Sequence, residues 1–201
     1  MHWLAAAAGI ASMTAALERG DLDEVARQGS LAGPAVVEKA LASHDRATQL
    51  AGIVAAPAVE DRAELLPALA RIAAGHDRRT AIPAARAALA IAHAFGEHER
   101  PDDIAPGDVE TWRASFEHIA RADDALVEAR VISLEVAHAL VPDQLGFDLA
   151  ALLLDHDPDV ALAAAQIACA DYRSELAAIR DRVHALASER VAARDVEACL
   201  K

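Results

Sequence analysis

The sequence predicts an all-α protein, an α-solenoid of about five stacked antiparallel helical hairpins. Two observations carry this expectation. First, hydrophobic residues make up 54% of the 201 residues and aromatics only 3%. Alanine, the best helix former, supplies much of the apolar share, and a β-sandwich would need far more β-branched and aromatic residues. Second, a helical punctuation mark recurs: Ser43-His44-Asp45-Arg46, Gly75-His76-Asp77-Arg78, Ala122-Asp123-Asp124-Ala125 and Asp155-His156-Asp157-Pro158, with a weaker copy at Ala187-Ser188-Glu189-Arg190. Asp45, Asp77, Asp124, Asp157 and Ser188 fall 32, 47, 33 and 31 residues apart. A fixed period of that size is the signature of stacked hairpins.

The chain divides into residues 1–19 and residues 20–201. The first part carries no Asp, Glu, Lys or Arg before Glu18. It reads either as an N-terminal helix or as a signal peptide with a small-residue cleavage site at Thr14-Ala15-Ala16. The compartment is accordingly left open between the cytoplasm and the periplasm or exterior. No stretch is long and apolar enough to span a membrane as a helix.

The repeat region begins with a short helix at 21–28, closed by Gly29. Gly33-Pro34 then opens the next helix with proline at its first position. Asp45 caps its partner, which Pro57 ends or bends. Asp61 starts a helix through a capping-box-like pattern with Glu64, and Pro67 predicts a kink in it. Asp77 caps a helix reaching about Phe95. Residues 96–107 hold two prolines and a cluster of acids, and they read as an acidic loop inserted between hairpins.

After it, Asp108 caps a helix whose Val109, Trp112, Phe116 and Ile119 form a core-facing stripe. Asp124 starts its partner. A short helix at 147–154 precedes one opened by Asp157-Pro158, and helices at 171–187 and 188–200 complete the chain. Cys169 and Cys199 are the two cysteines. They sit almost one repeat apart, so neighbouring hairpins could bring them together in a bridge; stacked helices lie about 8–10 Å apart, beyond the roughly 7 Å that a disulfide allows, which favours two buried free thiols.

The segment Asp155-His156-Asp157-Pro158-Asp159-Val160-Ala161-Leu162-Ala163-Ala164-Ala165 resembles the Asp-x-Asp-Pro-x-Val-x-x-x-Ala-Ala core of HEAT repeats, with Ala161 where that family usually has Arg. The resemblance extends over about Gly33 to Leu200, and Pro67 fits the kinked first helices of the family. It implies an α-solenoid whose second helices line a concave binding face, and a protein that binds or scaffolds other macromolecules.

The net charge of -13 opposes binding of nucleic acid through phosphate contacts. No phosphate loop, nucleophile elbow or metalloprotease motif occurs, so no catalytic residue, cofactor or metal is expected. His44, His76 and His156 occupy repeat-equivalent turns about 10 Å apart, too far for one zinc ion. The expected function is a non-enzymatic interaction module, monomeric, holding a protein or peptide partner. The alternative is a solenoid enzyme resembling phycobilisome lyases or alkylated-base DNA glycosylases, which the acidic charge disfavours. Counting from each mark, the fifth and ninth residues of the second helices form the candidate surface: Leu50, Val54, Ile82, Arg86, Ser133, Leu162 and Gln166.

Overall fold

A computed structural model describes residues 2–97, 104–141 and 149–171. Among them the ordered elements are helices, and the chain forms two compact units, residues 1–100 and 101–201. None of the described helices is long and apolar enough to cross a membrane.

The first unit contains three helix pairs. Helix α1 (His2–Glu18) packs on α2 (Leu22–Ala32), α3 (Pro34–Leu41) on α4 (Arg46–Ala55), and α5 (Leu66–Ala73) on α6 (Arg78–Glu97). The second members also pack on one another, α2 on α4 and α4 on α6. Short connections force each pair into a helical hairpin. The opening segment forms α1. It packs on α2 and α4, and its Met13 and Ala16 are fully buried.

Three local expectations need correction here. Gly29 does not close a short helix, because α2 runs through it to Ala32. A Cβ at Gly29 would lie 2.4 Å from the Cβ of Ala55, so this glycine lets α2 approach the end of α4. Gly52 serves the same purpose against α3, where a Cβ would lie 2.9 Å from the Leu41 backbone nitrogen. Asp61 makes no side-chain cap. The segment starts instead as a 3₁₀ turn, Arg62–Leu65, and becomes α-helical at Leu66 with Pro67 in the first turn. Proline is tolerated there because that N–H has no intrahelical acceptor. The expected kink is thus a change of helix type. Pro57 does end α4, in a 3₁₀ turn at Ala56–Ala58.

In the second unit, α7 (Pro106–Arg121) pairs with α8 (Val127–Leu140), α9 (Leu149–Leu153) packs on α10 (Pro158–Asp171), and α10 packs on α8. Val109, Trp112, Phe116 and Ile119 are buried, as their spacing requires. Asp108 lies in the first turn of α7 and does not cap it; the cap position is Ala105. The expected fifth hairpin, with Ser188 and Cys199, lies outside the described residues, as do residues 98–103 of the acidic loop.

Cys169 is disulfide-bonded, against the expectation of free thiols. Cys199 is the chain's other cysteine.

Two stability outcomes follow. Gly29→Ala gains up to about 1 kcal/mol of helix propensity but overpacks the contact with Ala55 at a cost of about 1–3 kcal/mol; its urea midpoint is expected below the parent's. Cys169→Ala removes the disulfide and is expected to cost about 2–5 kcal/mol, measured by urea unfolding. Dithiothreitol should lower the parent's midpoint and leave the variant's unchanged.

Candidate functional site

Four of the second helices, α4, α6, α8 and α10, share one burial register when counted from their N-cap positions. Asp45 caps α4 by accepting from the Thr48 N–H at 2.8 Å. Asp77 accepts from the Arg79 N–H at 3.1 Å, and Asp157 from the Asp159 N–H at 2.9 Å. In α8 the N-cap is Leu126, not Asp124. Residues Asp123 to Ala125 form a turn, closed by the Ala125 N–H on the Ala122 carbonyl at 3.1 Å. With Leu126 as the origin the four helices agree. The seventh residue is buried and small in each: Gly52, Ala84, Ser133 and Ala164. The tenth is Ala55, Ala87, Val136 and Ile167, again all buried.

This two-residue slip decides where the predicted surface residues fall. Leu50, Val54 and Ile82 are half-buried, whereas Arg86, Leu162 and Gln166 are exposed. Ser133 is a correction: it is fully buried, and its hydroxyl makes no hydrogen bond. Its place in the exposed row belongs to Glu135, and the fifth-residue place belongs to Val131; both are half-buried. The reason is that α8 starts later than its acidic pair suggests. In the second unit, Leu162 and Gln166 border a shallow, mainly apolar hollow on α10 with Ala165, Cys169 and Ala170.

In the first unit the Arg46 guanidinium meets the Asp77 carboxylate at 2.8 Å. Arg46 opens α4 and Asp77 caps α6, so the ion pair joins the starts of two helices that pack on each other. Leu50 and Ile82 stand at the same offset from their caps, as do Val54 and Arg86. The α6 face continues with exposed Arg79 and His93, each seven residues from Arg86 and so on the same side of the helix.

The densest polar constellation surrounds Arg130, which is 1% exposed. Its Nε donates to the Ala120 carbonyl at 3.0 Å, and both terminal nitrogens donate to the two Asp155 oxygens. Asp155 also accepts from the Asp157 N–H at 2.9 Å. Burial opposes ionisation of Asp155, but the Arg130 hydrogen bond, the Asp157 amide and the nearby charges outweigh it, so the carboxyl sits below its ordinary value. The arrangement ties the end of α7 and the α9–α10 turn to the first turn of α8.

Asp123 and His156 flank the cluster, with His156 Nδ1 at 3.8 Å from Asp123 and 3.5 Å from Asp155. These three residues bring potential metal-ligand atoms within 4.8 Å of one another. Arg130, however, already presents its charge to both Asp155 oxygens, so a divalent ion would have to displace it. His44 and His76, like His156, are exposed turn residues. On α7, Arg113 bridges Glu110 and the buried Glu117. Burial holds the Glu117 carboxyl above its ordinary range, with Arg113 and Arg121 acting against that shift.

Sequence reasoning missed Arg130 and Asp155. The available signal was an arginine at the fourth position after the cap, where α6 and α10 carry buried Ala81 and Ala161. It is visible only in the corrected register.

No family model, curated protein or solved structure matches the chain.

Asp155→Ala is expected to destabilise the second unit by about 3–5 kcal/mol, because it leaves a buried guanidinium unpaired. Asp155 also gives stability a pH dependence. Its folded pKa is depressed, so its contribution is full above about pH 4, the unfolded value, and is lost as pH falls through the lowered folded value. Urea midpoints measured from neutral to acid pH should converge for the parent and Asp155→Asn at the acid end.

Proposed function

We propose that this chain is a HEAT-like helical-repeat interaction module that holds a protein or peptide partner along its second helices and is not an enzyme. The observation that carries the reading is the shared burial register. It leaves the same offsets of successive second helices partly open: Leu50 and Ile82 at the fifth position, Val54 and Arg86 at the ninth. Adjacent apolar side chains beside polar ones suit an amphipathic segment laid across them. The titratable cluster at Arg130 and Asp155 is closed on itself by hydrogen bonds, which favours a structural role over acid–base chemistry. The disulfide at Cys169 supports residence in an oxidising compartment, since such bonds are rare in the cytosol.

The test is a paired substitution, Leu50→Ser with Ile82→Ser, followed by quantitative affinity capture from extracts of the source cells and by thermal melting. Partner recovery should fall by a factor of ten, about 1.4 kcal/mol of binding energy, with the melting temperature within a few degrees of the parent. A large drop in melting temperature would assign these residues to the core. Undiminished capture would remove them from the binding surface.

A further inference from the structure

The open face of α4 and α6 carries an unusual charge. The chain has 32 acidic residues, yet residues 47–58 and 78–96 contain none. Within the second of these stretches lie Arg78, Arg79 and Arg86. Arg79 and Arg86 are exposed and form no ion pair among the described residues, whereas Arg46 at the start of α4 is paired with Asp77. The nearest acid at the helix ends, Asp77, is already paired with Arg46. Arg79, Arg86 and His93 follow one another at two-turn intervals along one edge. Half-buried Ile82 and Leu89 run beside them on α6, and half-buried Leu50 and Val54 lie on the adjoining α4. The result is a basic edge next to an apolar floor in a protein of net charge -13.

We propose that this face docks an acidic amphipathic helix of a partner protein. The inference rests on the interaction-module reading and specifies the partner's chemistry. A segment entering the floor places apolar side chains, at three- and four-residue spacing, against Leu50, Ile82 and Leu89. Its carboxylates then meet the two guanidinium groups, whose planar forks match carboxylate geometry. A basic segment would meet uncompensated like charge at the same positions, so the pair of arginines selects against it as well as for its opposite. Because the remainder of the protein is acidic, the local positive field also orients an acidic helix towards this one face rather than elsewhere.

The probes are two series of short, fluorescein-labelled synthetic helices with the same leucine stripe, one carrying Glu and the other Lys at the remaining positions. Binding is read by fluorescence anisotropy at low and at high salt. The Glu series should bind at least tenfold more tightly than the Lys series, and its affinity should fall as salt is raised. Arg79→Glu with Arg86→Glu should weaken the Glu series at least tenfold without altering thermal melting, whereas Arg71→Glu on α5 should have no effect.

Lys peptides binding as well as or better than Glu peptides, with Leu50→Ser still weakening both, would overturn the charge assignment and leave the interaction-module reading standing. Binding of neither series would overturn both. An equilibrium sedimentation experiment in which Arg79→Glu with Arg86→Glu dissociates a dimer would also overturn the proposal, by giving the face to a second copy of the chain.

Discussion

Close approach between helix backbones is the constraint on which this structure depends. In α4, α6, α8 and α10 the seventh residue after the N-cap is Gly52, Ala84, Ser133 and Ala164, and each is buried. At Gly52 there is no room for even one methyl group without displacing the backbone of α3. Side chains this small bring little apolar area per contact, so stability must come from many contacts at short range. That requirement explains why the buried offsets repeat so strictly. A helix that slipped by one residue would set a larger side chain where only hydrogen or methyl fits, and one that slipped by two put Asp124 outside α8 altogether.

Arg130 is the exception that gives the second unit its identity. Where the other second helices bury Ala81 and Ala161, α8 buries a guanidinium and must supply it with acceptors. Ala120 does so from α7, the other half of the same hairpin, and Asp155 from the hairpin that follows. An alanine contact accepts any well-shaped neighbour, but a buried arginine accepts only a neighbour with a carboxylate at the right turn. The pair therefore fixes which hairpin follows which. It stabilises little relative to a hydrophobic replacement, and its contribution is to order of assembly and to uniqueness. Burial of Glu117 beside Arg113 has the same character within a single helix.

Much of this was legible in the sequence, and the failures have identifiable causes. The caps at Asp45, Asp77 and Asp157 and the stop at Pro57 are local, set by residues within one turn, and they were readable. The core stripe Val109-Trp112-Phe116-Ile119 was readable for the same reason, since helical period alone decides it. Gly29 was misread because a glycine that ends a helix and one that admits a neighbouring helix look the same in one dimension; Ala55, which decides between them, is 26 positions away. Asp124 was misread because an acidic pair offers a cap wherever it occurs, and tertiary burial of Arg130 and Ser133 chose a later start. Ser133 was consequently assigned to the surface when it belongs to the core. The partial exposure of Leu50, Val54, Ile82 and Arg86 follows from the caps in the first unit, where caps and helix starts coincide, and that of α8 does not, because there they differ.

Among the described residues alanine supplies about half of the buried apolar side chains, and this bears on how the protein responds to temperature. The heat-capacity change of unfolding grows with the apolar area newly exposed to water. An alanine core exposes less of it per residue than a core of leucine and phenylalanine. The stability curve is then shallow, with enthalpy and entropy of unfolding that vary slowly across the physiological range. A protein built this way loses little on chilling, because weakening of apolar hydration at low temperature acts on a smaller area. Its folded population is set mainly by packing distance, a quantity that changes little between a cold and a warm cell.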